Sequence, residues 1–225
     1  MIIQSIRHLS SFIRDWYDSD DLGLFDLPAR DISGIAIPLV QVWRDLGKLS
    51  LAYEGKFHGS CDGPLARQDR LAPPGKLVRR AGCIVFAHEN QGGWCFGYRE
   101  NESTNNPTVY HVELSRFDRK WISSPLSINL NQFLIDFVLR ETVLFNSTNF
   151  LLEDGEVAQI YESCNVPIFT SSQVHATWLE TSEARFRTDS KRSRLVMEND
   201  APEDSFIGSA EKARGWWLEN CKNYS

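Results

Sequence analysis

At 225 residues, 42% of them hydrophobic and seven of them Trp, the chain has ample apolar material for a packed core, which excludes disorder throughout. A net charge of −6 and a pI near 5.4 argue against a nucleic-acid binder, because neutralising phosphates takes a basic surface. An acidic chain is better suited to a basic protein partner.

The first residues do not read as a secretory signal, since Gln4, Arg7 and His8 interrupt any apolar core. Ile2, Ile6, Leu9, Ile13 and Trp16 recur at helical spacing with polar residues between them, predicting a helix with one apolar stripe that stops before the acidic Asp18–Asp21 cluster. A second helix is expected from Pro38, a good first-turn residue, through Leu39, Val42, Trp43 and Leu46 to a stop at Gly47. The Gly/Pro-rich passage 53–75 reads as a loop enclosing a short strand.

From Cys83 to Tyr98 two apolar runs flank a polar Glu89-Asn90-Gln91-Gly92-Gly93 break, the pattern of a β-hairpin whose paired glycines supply the positive φ of a tight reversal. In the first arm Cys83, Val85 and Ala87 share one face and Ile84 and Phe86 the other, as in a strand buried on both sides. In the second, Trp94, Phe96 and Tyr98 share a face, while Cys95 and Gly97 leave room on the other for a close approach. Tyr110, Val112 and Leu114 alternate with His111 and Glu113 in a half-exposed strand, with a further short strand around Phe117 to Ile122. Asn129 with Gln132 three residues on opens a helix burying Leu130, Phe133, Leu134, Phe137, Val138 and Leu144.

These pieces, in this order, resemble the SUKH superfamily of Smi/Knr type, in which a hydrophobic strand runs into a Glu-Asn-Gln-Gly segment followed by a Trp-bearing strand. The similarity extends from the Pro-led helix at Ile37–Leu46 through Asp69-Arg-Leu-Ala-Pro-Pro, the hairpin, Pro107-Thr-Val109 and Trp121 to the helix holding Phe133 and Leu134, roughly residues 35–145. It implies an α+β fold, an antiparallel or mixed central sheet with helices packed on one face, and a SUKH-like domain over 1–146. After Asn146 a short helix at Glu156–Cys164, strands at Val174–Glu180, Ala184–Thr188 and Ser193–Glu198, and a helix from Ser209 to Cys221 are expected. With no linker-like stretch before them, these residues, 147–225, are taken to extend the same domain and sheet, a small second lobe being the alternative.

Glu89, Asn90 and Gln91 crowd three polar side chains at a strand end, where they would either hold the turn by bonding backbone amides or contact a partner. Trp94 and Trp121 are the candidate binding anchors beside them. Cys95 and His88 would face each other across the hairpin, but a cysteine nucleophile also needs an oxyanion hole and an orienting third group, so no catalytic residue is assigned. His58 and Cys61 make only half a metal site, and Gly92-Gly93 opens no helix to hold a phosphate, so neither metal nor cofactor is expected. Five cysteines, an odd count without regular spacing, suggest reduced thiols in a cytoplasmic protein.

The bacterial members of the family are immunity proteins that bind and block polymorphic toxins, so the resemblance implies a non-enzymatic protein-binding domain neutralising a basic toxin. The alternatives are a scaffold or regulator of the Smi/Knr signalling type, and, in another class, a thiol-dependent hydrolase or transferase built on Cys95, His88 and Glu89.

Overall fold

The computed structural model describes residues 3–24, 26–50, 63–67, 69–89, 91–146, 167–171, 176–182, 193–199, 206–209, 214–215 and 218. The chain divides into two compact units, 21–137 and the pair of segments 1–20 and 138–225, a division different from the expected boundary at 146. In chain order the elements are α1 (Ile6–Tyr17), α2 (Ala29–Ile32), α3 (Ile37–Leu46) with a 3₁₀ turn at Gly47–Ser50, α4 (Pro64–Arg67), β1 (Arg70–Leu71), β2 (Val78–Arg80), β3 (Cys83–His88), β4 (Trp94–Arg99), β5 (Thr108–Leu114), β6 (Trp121–Asn129), α5 (Leu130–Asn146), and β7 to β10 at Pro167–Ser171, Ala176–Ser182, Ser193–Asn199 and Phe206–Ser209. The fold is α+β, and among the described residues every strand pairing is antiparallel.

Helix α1 buries Ile6, Leu9, Phe12, Ile13, Trp16 and Tyr17, the predicted stripe widened by two aromatics. Ser5 caps its start by accepting from the His8 N–H, and Asp18 ends it in the left-handed region at φ 53°. Helix α3 starts as expected, with Pro38 in its first turn, and buries Leu39, Val42, Trp43 and Leu46.

The unit 21–137 is built on a six-stranded sheet in which β3, β4, β5 and β6 follow one another, while β1 and β2 both pair with the outer side of β3. These two are one edge strand interrupted by residues 72–77, where Pro73 and Pro74 offer no N–H to a ladder. A two-residue turn, Ala81-Gly82, joins β2 to β3 with φ of 49° and 73°, the pair of positive values that matches strand twist. Between β3 and β4 the register shifts by one residue at Phe86. Because side chains alternate, the extra residue turns the following ones over: Ala87 stands opposite Phe96 and not on the face of Cys83 and Val85, where simple alternation put it.

One face of this sheet meets the helices. Phe86 and Phe96 lie 5.5 and 4.6 Å from Phe133 of α5 between ring centroids, the Tyr98 hydroxyl accepts from the Ala36 N–H just before α3, and Trp43 donates its indole N–H to the Ala72 carbonyl at 3.0 Å. Burying side chains of this size contributes about 1.5–3 kcal/mol each. The predicted cap of α5 is present: the Gln132 N–H donates to Asn129 Oδ1 at 3.0 Å and the Asn129 amide returns a bond to Gln132 Oε1 at 2.9 Å. Leu130, Phe133, Leu134, Phe137 and Val138 are buried as expected, and the Leu144 side chain lies outside the described residues.

The strands expected at Val174–Glu180 and Ser193–Glu198 are present at Ala176–Ser182 and Ser193–Asn199, while other expectations need correction. The strand placed at Phe117–Ile122 begins at Trp121 and runs on to Asn129, with Phe117 in the preceding turn, because four polar or charged residues close a hairpin there. The late strands do not extend the first sheet. They pair with one another in the order β10-β9-β8-β7, so each described strand pairs with its neighbour in sequence. The strand expected at 184–188 and the helix at 156–164 lie outside the described residues; Ser209 closes β10 instead of opening the final helix, of which 214, 215 and 218 are helical and the rest lies outside the described residues. Among the described residues no helix is long and apolar enough to cross a membrane.

Candidate functional site

The hairpin reversal is held by Glu89. Its two carboxylate oxygens accept from the backbone N–H groups of Gln91 at 2.9 Å and Gly93 at 3.0 Å, while its own carbonyl accepts from Gly92. Gly92 alone of the glycine pair takes positive φ, 75°; Gly93 is placed by its bond to Glu89 instead. Gln91 is exposed, and Asn90 lies outside the described residues.

Trp94 and Trp121 stand on opposite faces of the sheet. Trp94 pairs with Glu113 and Glu113 with Ile122, so Trp121, one residue away, points to the other side. Trp94 is half-buried in an aromatic row on the helix-bearing face, edge-on to Phe96 at 4.9 Å and 5.6 Å from His111. The sequence-predicted residues therefore form no single surface: Glu89, Gln91 and Trp94 lie at the hairpin end, and Trp121 belongs to a different layer.

That layer is small. Cys83, Val85, Cys95 and Val112 are buried together, with Ala81, Tyr110 and Trp121 packed against them. Above them the Arg80 guanidinium lies 4.0 Å from the Trp121 ring and that of Arg99 lies 5.0 Å from Tyr110. Arg99 also donates to the Ala81 carbonyl and the Ser123 hydroxyl, and Tyr110 donates to Glu102 at 2.8 Å. Glu102 in turn accepts from the Thr108 N–H, closing the β4–β5 loop. Neither arginine was singled out in the sequence, since each meets its ring only across strands whose register is set by the whole sheet. The room left by Gly97 is taken by backbone, because a Cβ there would come within 2.8 Å of the Ile84 carbonyl oxygen.

His88 and Cys95 are opposite each other in the β3–β4 ladder, as the hairpin predicts. The thiol is muted. The Cys95 thiol donates to the Val112 carbonyl at 3.4 Å and accepts from Arg80 at 3.8 Å, and burial raises its pKa, so it rests as a thiol. Burial raises the Cys83 pKa likewise. Burial, assisted by Arg80 and Arg70, lowers that of His88 and keeps the imidazole neutral. Among the described residues no group of three or more His, Cys, Asp or Glu is arranged to hold a metal; His58 and Cys61 lie outside them.

Charge is unevenly shared. Residues 21–137 contain thirteen Asp and Glu against thirteen Lys and Arg, so the whole net charge of −6 belongs to 1–20 and 138–225. No protein family, curated protein or solved structure matches the chain.

Proposed function

We propose that this chain is a non-catalytic protein-binding domain, and, on its resemblance to the SUKH superfamily, a cytoplasmic immunity protein that occludes a basic toxin. The observation that carries the reading is the engagement of the polar hairpin: Glu89 is bound to backbone amides and the Cys95 thiol to a carbonyl. Residues best placed for chemistry thereby hold the fold, which supports binding over turnover. Attraction of a basic partner falls to the acidic segments 1–20 and 138–225, since the sheet unit carries no net charge.

The test is co-expression with the product of a toxin gene encoded beside this one, scored by survival, with calorimetry on the purified pair in low and high salt. Protection with an affinity that falls as salt rises is expected. Survival unchanged by co-expression, or a coding neighbourhood that holds no toxin, removes the immunity role and leaves the scaffold reading. Rapid stoichiometric alkylation of Cys95 by iodoacetamide at neutral pH would instead favour a thiol enzyme.

A further inference from the structure

The turn between β5 and β6 presents Arg116-Phe117-Asp118-Arg119-Lys120, and Phe117 is 100% exposed. Phe117 contributes nothing to the core of this fold, and its whole apolar ring is available for burial against a partner. The turn is built to hold it. Ser115 N–H donates to the Lys120 carbonyl at 2.8 Å, Arg119 N–H to the Ser115 carbonyl at 3.1 Å, Phe117 N–H to the Ser115 hydroxyl at 3.4 Å and Lys120 N–H to Asp118 at 3.3 Å. Arg119 takes the left-handed conformation, φ 58°, that closes such a loop. Asp118 is engaged within the turn and sits 3.9 Å from the Lys120 ammonium, and Arg116 and Arg119 are exposed. Three cations against one anion surround a single apolar side chain on a rigid ribbon.

We infer that this hairpin tip is a second docking element, whose occupant is a protein partner offering an apolar pocket rimmed by carboxylates. Exposed Phe with flanking Arg is the composition that concentrates binding energy at interfaces, and a pre-ordered turn loses little entropy on docking. Three cations fall short of the cluster of about four to eight Lys or Arg that marks an anionic-lipid site, which favours a localised acidic pocket over a lipid surface. The site goes beyond the proposed function, because it draws an acidic surface where the acidic segments draw a basic one.

The experiment pans a phage library of random twelve-residue peptides against the immobilised full chain at low salt, with counter-selection on Phe117→Ser. Phe117→Ser should melt like the parent, since the side chain touches no core. Enriched peptides should combine two or more Asp or Glu with Leu, Ile, Phe or Trp. They should bind at least ten times more weakly to Phe117→Ser and to the Arg116→Ser/Arg119→Ser variant, and weaken with salt. Absence of enrichment, or peptides that bind all variants alike, overturns the proposal. Two parallel measurements name the rivals: Phe117-dependent sedimentation with phosphatidylserine vesicles but not phosphatidylcholine ones overturns it in favour of a membrane, and a Phe117-dependent dimer in ultracentrifugation overturns it in favour of a second copy. A failed toxin-protection test with successful panning leaves this site standing without the immunity role.

Discussion

The two faces of the six-stranded sheet solve the same problem with different materials. On one, Phe86, Phe96 and Tyr98 meet Phe133 and the residues leading into α3, a thick layer of aromatic contact. On the other, four small residues are sealed by two guanidinium groups lying over Trp121 and Tyr110. The first face gains its stability from buried area. The second depends on planar cations whose undersides pack and whose edges still bond, a cover that Lys could not reproduce.

Four substitutions and one titration would break or sharpen that contrast. Phe86→Ala on the helix-bearing face should cost about 3–5 kcal/mol in urea unfolding, since the ring is fully buried against Phe133 and Tyr98; a cost below that of Arg80→Ala would reverse the ranking of the faces. Gly97→Ala should cost about 1–3 kcal/mol, because the new Cβ presses on the Ile84 carbonyl and the Cys83 Cβ. Arg80→Ala should cost about 1 kcal/mol in urea unfolding through its lost stacking on Trp121, and should raise the Cys95 thiol pKa further, since the guanidinium that favours the thiolate is gone. An unchanged urea midpoint would show that the stacking contributes nothing. Ala81→Gly should stabilise by up to about 1 kcal/mol, relieving a left-handed alanine while keeping the turn; a loss would mean the Ala81 methyl matters more to the four-residue cluster than its backbone does.

The smallest effect is the pH dependence of His88. Burial holds its folded pKa below the ordinary 6.5, so the unfolded chain takes up a proton that the native state resists. Its contribution to stability is complete above that pH and declines as the solution is acidified through it. Urea midpoints between pH 8 and 5 should therefore fall less steeply in His88→Gln than in the parent, and parallel curves would exclude the residue as the source.

Much of this was legible in the chain because it is local. The stripe of α1, the Pro38 start of α3, the hairpin arms and the Asn129–Gln132 cap each follow from residues within a few positions of one another. What was not legible depends on partners distant in sequence. The extra residue at Phe86 has no signature in the alternating run Cys83–His88, yet it reassigns Ala87 to the other face. Trp121 was picked as an anchor by its type, and its place under Arg80 required β5 to carry the register across from β4. The separate pairing of β7 to β10 was only the alternative reading, because alternation predicts strands and says nothing of which sheet they join. Glu89 was read two ways, and the bonds to Gln91 and Gly93 support its turn-holding role.

The margins of the first sheet have a further effect. Among the described residues one rim is the broken pair β1 and β2, parted by Pro73 and Pro74, and the other is β6, with Pro125 at its midpoint. A stray extended segment from a neighbouring molecule would find gaps in the row of amide hydrogens on either side, so the sheet resists lateral growth into fibrils even while its hairpin tip stays accessible.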